Sequence, residues 1–195
     1  MATQNETPER GANRERILRA ALNVIGTYGV DKVTHRSVAT GAKVSPGTVT
    51  YHFSTREDLV RQAFALYVGD YERSLVKTLT ARPLETRSDL VGFLSAITAL
   101  EPGDMDLAKI EYEMLLFSRR DEDTQMLVAG WSRLLEGWLI DPMEKLGAAK
   151  PMEAARHLAA TCRGSEFEVM SRGQALANEP FRMRIEAVLD GVLPA

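Results

Sequence analysis

The residues with the most chemistry to offer lie between Val33 and Leu59, in the run VTHRSVATGAKVSPGTVTYHFSTREDL. Thr48, Thr50, Tyr51 and His52 bring hydroxyl and imidazole groups into one short segment, the kind of groups that hydrogen-bond to the edges of bases. Ser45, Pro46 and Gly47 just before them are small, which lets a backbone come close to phosphate. Arg36, Lys43 and Arg56 supply cations around the segment. Helix N-termini beside Arg36 and Arg56 would add N–H groups that grip phosphate with them. Val49 and Phe53 are four residues apart and share a helix face. Turned inward, they force Thr48, Thr50 and Tyr51 outward. A helix that only filled a core would be more apolar.

Holding these groups takes two short helices and a tight turn. Thr34 can cap the first helix, whose inner face carries Val38, Ala39 and Ala42. Ser45 can cap the second, with Pro46 at the first helical position, where a missing N–H costs nothing. Thr55 and Asp58 form a shortened capping box that opens a long helix from Arg56 to about Thr80. Leu59, Ala63, Leu66, Tyr67, Val68, Leu75 and Leu79 give that helix its apolar stripe, and Arg82-Pro83 ends it. An amphipathic helix from Asn13 to Tyr28 comes first. It buries Ile17, Ala20, Ala21, Val24, Ile25 and Tyr28, with Asn13 as N-cap and Gly29 as a left-handed end. Helical patterns follow over residues 87–100, 104–119, 122–146, 152–174 and 180–193. The expectation is an all-α chain of about nine helices, with residues 1–13 as a disordered polar arm.

Bulk properties exclude several classes. The 195 residues are 45% hydrophobic and 26% charged, an ordinary globular mix. No apolar run approaches the roughly 20 residues that span a bilayer. Cys162 is the only cysteine, so no intrachain disulfide forms, as suits a reducing cytoplasm. Residues 1–60 carry eight Lys/Arg against six Asp/Glu; residues 61–195 carry sixteen against twenty-one. The field is thus weakly basic only at the N-terminal end. An enzyme would need a nucleophile or metal constellation. His35, His52 and His157 have no metal-ligand spacing, Cys162 has no partner in the sequence, and no phosphate-cradling Gly loop is present. We therefore expect no catalytic residues, no metal and no cofactor. A protein-interaction module that had lost nucleic-acid binding would show an eroded 45–53 segment, and this one is intact.

Residues from about Arg14 to Phe64 resemble the DNA-binding domain of the TetR family of bacterial transcriptional repressors. Gly29, Thr34, Val38, Ala39, Ala42, Val44, Ser45, Gly47, Thr48, Val49, Tyr51, His52, Phe53, Thr55, Glu57, Asp58 and Leu59 fall in register with that family's pattern. The resemblance implies a helix-turn-helix DNA-binding domain over 14–60 and a larger helical ligand-binding and dimerisation domain over 61–195. It implies a repressor that a small-molecule ligand releases from a palindromic operator. It places Thr48, Thr50 and Tyr51 at the major groove, and Thr34, Arg36, His52 and Arg56 at phosphates. Thr34 and Ser45 serve equally as caps, Arg56 as a solvated first-turn residue, and His52 in local hydrogen bonds. His35 reads as a solvated surface residue. Two departures stand out. Lys43 replaces the usual turn glycine, at a cost on the order of 1 kcal/mol, while adding a cation near phosphate. Thr50 replaces a common aromatic.

The same resemblance implies a homodimer through the last two long helices, for which Ala155, Leu158, Ala159, Cys162, Val169, Met170, Phe181, Ile185, Val188, Leu189 and Val192 are available, with Ala155, Ala159 and Gly173 allowing close approach. It also implies a pocket among the middle helices. Candidate ligand contacts are Phe93, Glu111, Tyr112, Met114, Trp131, Trp138, His157 and Glu166, with Arg163 and Glu166 able to pair at i, i+3. Each aromatic or Met among them also reads as simple core.

Overall fold

A computed structural model describes residues 8–98, 105–172 and 178–194. They form nine α-helices and one short 3-10 helix, with no strand among the described residues. The helices are α1 (Pro8–Tyr28), α2 (His35–Ala42), α3 (Pro46–His52), α4 (Arg56–Ala81), α5 (Arg87–Thr98), α6 (Met105–Ser118), α7 (Glu122–Lys145), α8 (Pro151–Arg172) and α9 (Asn178–Val192). The all-α expectation holds. The 3-10 helix, Val30–Lys32, joins α1 to α2.

The first helix starts earlier than its sequence pattern suggested. Residues 8–13, expected in a disordered arm, are helical, while residues 1–7 lie outside the described residues. Pro8 suits a first helical position, and the Asn13 side chain accepts from Arg16 Nη2 at 2.8 Å. Tyr28 is also corrected. It is 68% exposed, whereas Ile17, Ala20, Ala21, Val24 and Ile25 are buried as expected.

Local signals explain most boundaries. Thr34 Oγ1 accepts from Ser37 N at 3.0 Å, and Ser37 Oγ accepts from Thr34 N at 3.0 Å, a reciprocal capping box. Ser45 Oγ accepts from Thr48 N at 3.0 Å, with Pro46 behind it. Thr55 Oγ1 accepts from Asp58 N at 3.1 Å, while the Asp58 carboxylate takes a bond from Gln62 Nε2 at 2.7 Å. A further box, Thr86 with Asp89, opens α5 through bonds of 2.9 and 3.1 Å.

The helices gather into two compact units that do not follow chain order. The first holds the chain up to Asp70 together with Lys109–Val128; the second holds Tyr71–Ala108 and the chain from Ala129 onward. In the first unit, Ile17, Ala21, Ile25, Val38, Val49, Phe53, Leu59, Val60, Ala63 and Phe64 are sealed from solvent. Late-chain residues join this core. Met114 is fully buried, and the Phe117 and Phe64 ring centroids lie 5.9 Å apart. Around it, Lys109 Nζ donates to Thr27 O at 2.9 Å, and Arg61 Nη1 reaches Asp123 at 2.7 Å. The second unit has its own core, including Leu75, Leu90, Leu94, Leu139, Met143, Leu158, Phe181, Ile185 and Leu189. Helix α7 runs through Pro142, which removes one backbone donor.

Candidate nucleic-acid interface

The first unit presents α3 on its surface, and the local sequence explains how. Val49 and Phe53 have no solvent exposure, so α3 is fixed by its inner face. Tyr51 is then 68% exposed, and Thr50 and Gly47 are exposed beside it. The Thr50 hydroxyl donates to Pro46 O at 3.1 Å, which commits its proton and leaves its oxygen able to accept. Thr48 is half-buried, with its hydroxyl 2.9 Å from Ser45 Oγ. Tyr51 and His52 meet edge to face, with centroids 5.3 Å apart.

The turn before α3 carries the strain anticipated at Lys43. Its φ of 54° and ψ of 44° are left-handed, and it is the sole non-glycine with positive φ among the described residues. Lys43 N bonds Thr40 O at 3.3 Å, and Val44 N bonds Ala39 O at 3.0 Å, the pair that closes a Schellman end. The lysine side chain is exposed, as is that of Arg36.

Gly47 is a glycine that the fold does not need. A methyl group there would meet only Ser45 Oγ, at 3.6 Å, an ordinary contact. Gly29 differs: its φ of 92° suits glycine, and a side chain would press Glu113 Oε1 at 2.8 Å. Its ψ of 161° places it outside the left-handed helical region expected for it.

Two residues take on structural work that spacing alone did not reveal. His35 is half-buried, and its Nε2 lies 2.8 Å from Phe53 O, so it ties α2 to the end of α3 rather than sitting in solvent. Arg56 reaches back to the 3-10 segment. Its Nε donates to Val33 O at 2.9 Å and its Nη2 to Val30 O at 2.7 Å, and it pairs with Glu57 at 3.3 Å. Asp31 joins this group, 3.6 Å from Arg56 and 3.3 Å from Arg120. Backbone N–H donation at the start of α4, aided by Arg56, holds the Glu57 carboxyl below its usual range. Sequence reading also missed the arginines of early α1. Arg10 lies over the Tyr51 ring at 5.3 Å, and Arg14 over the Phe53 ring at 5.7 Å. Their signal was the i, i+4 spacing of two arginines before an apolar pattern.

The candidate ligand contacts divide between the units. Glu111, Tyr112 and Met114 belong to the first, where Met114 is core and Glu111 accepts from the Tyr67 hydroxyl. Phe93, Trp131, Trp138, His157 and Glu166 belong to the second. Phe93 and Trp131 are buried there, whereas Trp138 is 40% exposed, so the two tryptophans do not share an environment. Trp131 meets Tyr71 edge to face at 6.2 Å, and its indole N–H is buried with no hydrogen-bond partner among the described residues. The Ser95 hydroxyl is likewise enclosed and unpartnered. Arg163 bonds across to Glu136 at 3.1 Å and to Ser132 O at 3.3 Å. Burial pushes the Cys162 thiol up to about 11, which leaves it a protonated, inert group beside Thr98.

The face of α8 and α9 also differs from its sequence reading. Ala155, Leu158, Ala159, Cys162, Phe181, Ile185 and Leu189, nominated for a dimer, are buried in this chain's own core. Gly173 lies outside the described residues, as does the Val169 side chain. The outward face instead bears a groove of ≈ 570 Å³ lined by His157, Ala160, Thr161, Ala187, Val188, Gly191 and Val192. Phe167 and Met183 are exposed on the same two helices, at 59% and 63%.

Residues 17–63 match the family model described as bacterial regulatory proteins, tetR family. Residues 85–195, more than half of the chain, match the model described as tetracyclin repressor-like, C-terminal domain. Over 73 residues the chain is 30% identical to the HTH-type transcriptional regulator UidR of Escherichia coli (strain K12), covering 37% of this chain and 36% of that protein. Over 109 residues it is 28% identical to the HTH-type transcriptional regulator LuxR of Vibrio harveyi, covering 56% and 52%. The chain thus spans between about a third and a half of the curated relatives it matches. Among solved structures, the multidrug binding protein EbrR complexed with ethidium is 28% identical, with a TM-score of 0.72, over 93% of this chain and 98% of that one. A transcriptional regulator of Saccharomonospora viridis in complex with choline shares the fold, at 20% identity and a TM-score of 0.79 over 95% and 100%.

Proposed function

Because this chain belongs to the TetR family of bacterial regulatory proteins, and so is a DNA-binding transcriptional regulator rather than an enzyme, we propose that it is a cytoplasmic repressor whose operator grip a small ligand releases. In this reading α3 enters the major groove, with Thr48, Thr50 and Tyr51 at base edges. Thr34, Arg36, Lys43, Ser45 and His52 face phosphates. Arg56 contributes by bracing the 3-10 segment.

Gly47 carries the reading. A glycine inside a helix costs roughly 0.5–1 kcal/mol relative to alanine, and nothing within the fold requires one here. A backbone that must lie against an outside surface does require it. Gly47→Ala is expected to raise the melting temperature while weakening binding to duplexes selected from a random pool by the wild-type protein. A variant that binds those duplexes as tightly as wild type would defeat the proposal.

One helix-turn-helix reads a half-site, and a two-fold dimer reads a palindrome. The outward face of α8 and α9 is the surface we assign to the dimer. Its groove, its small residues Ala160, Ala187 and Gly191, and exposed Phe167 and Met183 suit a second copy. Sedimentation of Gly191→Arg should show a monomer; a persistent dimer would reject that face.

The ligand is proposed to bind in the second unit, beside Trp131. An indole N–H enclosed without an acceptor is costly, and a ligand oxygen or nitrogen would satisfy it. The likeness to a protein solved with ethidium supports a planar aromatic ligand. Titrating ethidium and proflavin into Trp138→Phe protein should quench the remaining Trp131 fluorescence and loosen the DNA complex. Quenching without DNA release would break the link between ligand and operator.

A further inference from the structure

The first turns of α1 lie against the reading helix. Arg10 and Arg14, four apart, share one face of α1. The Arg14 guanidinium sits 5.7 Å from the centroid of Phe53, which is fully buried, and also bonds the Gln62 side chain. Arg14 is therefore anchored within the fold. Arg10 sits 5.3 Å from the centroid of Tyr51, which is 68% exposed. The three rings between the arginines follow in order: Tyr51 to His52 at 5.3 Å, then His52 to Phe53 at 6.2 Å. The row runs from the core out to the surface, and Arg10 closes its outer end. The Nε of Arg10 is enclosed and has no hydrogen-bond partner among the described residues.

We propose that Arg10 belongs to the DNA interface: held over the face of Tyr51, it fixes that ring at the groove and grips a backbone phosphate with its guanidinium. The inference rests on α3 being the reading helix. Two physical points favour it. An exposed tyrosine has two side-chain torsions to lose on binding, and a flat cation over its face holds the ring before DNA arrives. With Nε enclosed, the Nη1 and Nη2 N–H groups of a guanidinium held over the ring are the ones left to meet the oxygens of a phosphate. One side chain thereby positions a base-reading residue and adds a charge to the interface.

The test uses full-length protein and a duplex selected from random-sequence DNA by the wild type. Affinity is measured across a salt series for Arg10→Ala, Arg10→Lys, Tyr51→Ala and the Arg10→Ala/Tyr51→Ala double variant. Arg10→Ala is expected to weaken binding about tenfold and to lower the slope of log K against log salt by about 0.9, one phosphate contact. Arg10→Lys should keep the slope but recover only part of the affinity, because an ammonium lacks the flat fork. The double variant should lose less than the product of the two single losses. Unchanged affinity and slope in Arg10→Ala, or losses that multiply, would overturn the proposal. Arg10→Gln, which retains a long polar side chain, replaces the alanine variant if that one melts early. A wild type that selects no sequence would instead refute the α3 reading itself and this inference with it. Selection by the wild type with an indifferent Arg10→Ala refutes only the role of Arg10.

Discussion

The two units differ in which neutral polar groups they leave enclosed. In the first, those at the helix caps and around the 3-10 segment close on one another. Thr34, Ser37 and Ser45 cap helices, His35 takes up Phe53 O, and Arg56 takes up two carbonyls. In the second, the Trp131 indole N–H and the Ser95 hydroxyl are enclosed with no hydrogen-bond partner among the described residues, whereas in the first the charged Arg10 has such an atom, its Nε. The helix ends show a related contrast. Lys43 and Gly147 close α2 and α7 with the same pair of backbone bonds, Gly147 N to Glu144 O at 3.0 Å and Ala148 N to Met143 O at 2.9 Å repeating the pattern at Lys43. At Gly147 the left-handed position is filled by the residue that takes it freely, with Pro194 packed 3.4 Å from where a side chain would begin. At Lys43 a cation takes it under strain. On the proposed function, a surface that reads DNA gains from being rigid before it binds, even at some backbone strain, and a unit that takes a ligand gains from groups left open for it.

Removing polar groups tests that contrast directly. The largest effect should come from Arg56→Ala, which strands two carbonyls. Charge-assisted hydrogen bonds contribute about 1.5–3 kcal/mol each, so denaturant unfolding should report a loss of at least about 2 kcal/mol. An unchanged unfolding midpoint would deny Arg56 its bracing role. Next, Thr34→Ala should cost about 1 kcal/mol by loss of its cap. Lys43→Gly should gain about 1 kcal/mol by relief of strain while flattening the salt dependence of DNA binding. If stability does not rise, the strain is absent. Trp131→Phe removes an unsatisfied donor, so it should leave stability within about 1 kcal/mol of wild type. A larger loss would mean the second unit is as closed as the first.

The smallest effect concerns Asp89, an exposed residue of the second unit that does have partners. Its carboxyl is held below its usual range, first by the Thr86 hydroxyl and then by the Thr86 N–H. A depressed value in the folded state stabilises at pH above the ordinary carboxylate range and is lost as pH falls through the depressed value. The gap in melting temperature between wild type and Thr86→Val should therefore be present at pH 7 and shrink toward pH 3. A gap independent of pH would assign the effect to Thr86 alone.

Much of the first unit was legible because its signals are local. Caps at Thr34 and Ser45, inward Val49 and Phe53, and strain at Lys43 all depend on residues within a few positions of each other. What escaped was non-local or too short to repeat. The 3-10 turn at Val30–Lys32 is a single turn with no period to detect. The bonds from His35 to Phe53 and from Arg56 to Val30 join residues 18 and 26 apart in sequence, so no spacing rule finds them. Spacing offers Arg163 its i+3 neighbour Glu166 but is silent on Glu136 of α7, which lies within its reach. On α8 and α9, helical periodicity found an apolar face but could not tell whether it meets this chain or another. Folding assigned it to this chain, and the outward face is made of smaller, less apolar residues that carry a weaker pattern.

The first unit's two-part composition has a consequence for recombination. Phe117 packs against Phe64, and Met114 is buried in the same unit, though both are encoded far downstream of it. A hybrid regulator joined near residue 60 would set a foreign α6 against a native α1, leaving Thr27 O without Lys109 and Asp31 without Arg120. On the proposed reading, exchange of DNA specificity between relatives is therefore easiest by point changes on α3 and α1. Whole-head swaps need two crossovers more, to carry residues 109–128 along.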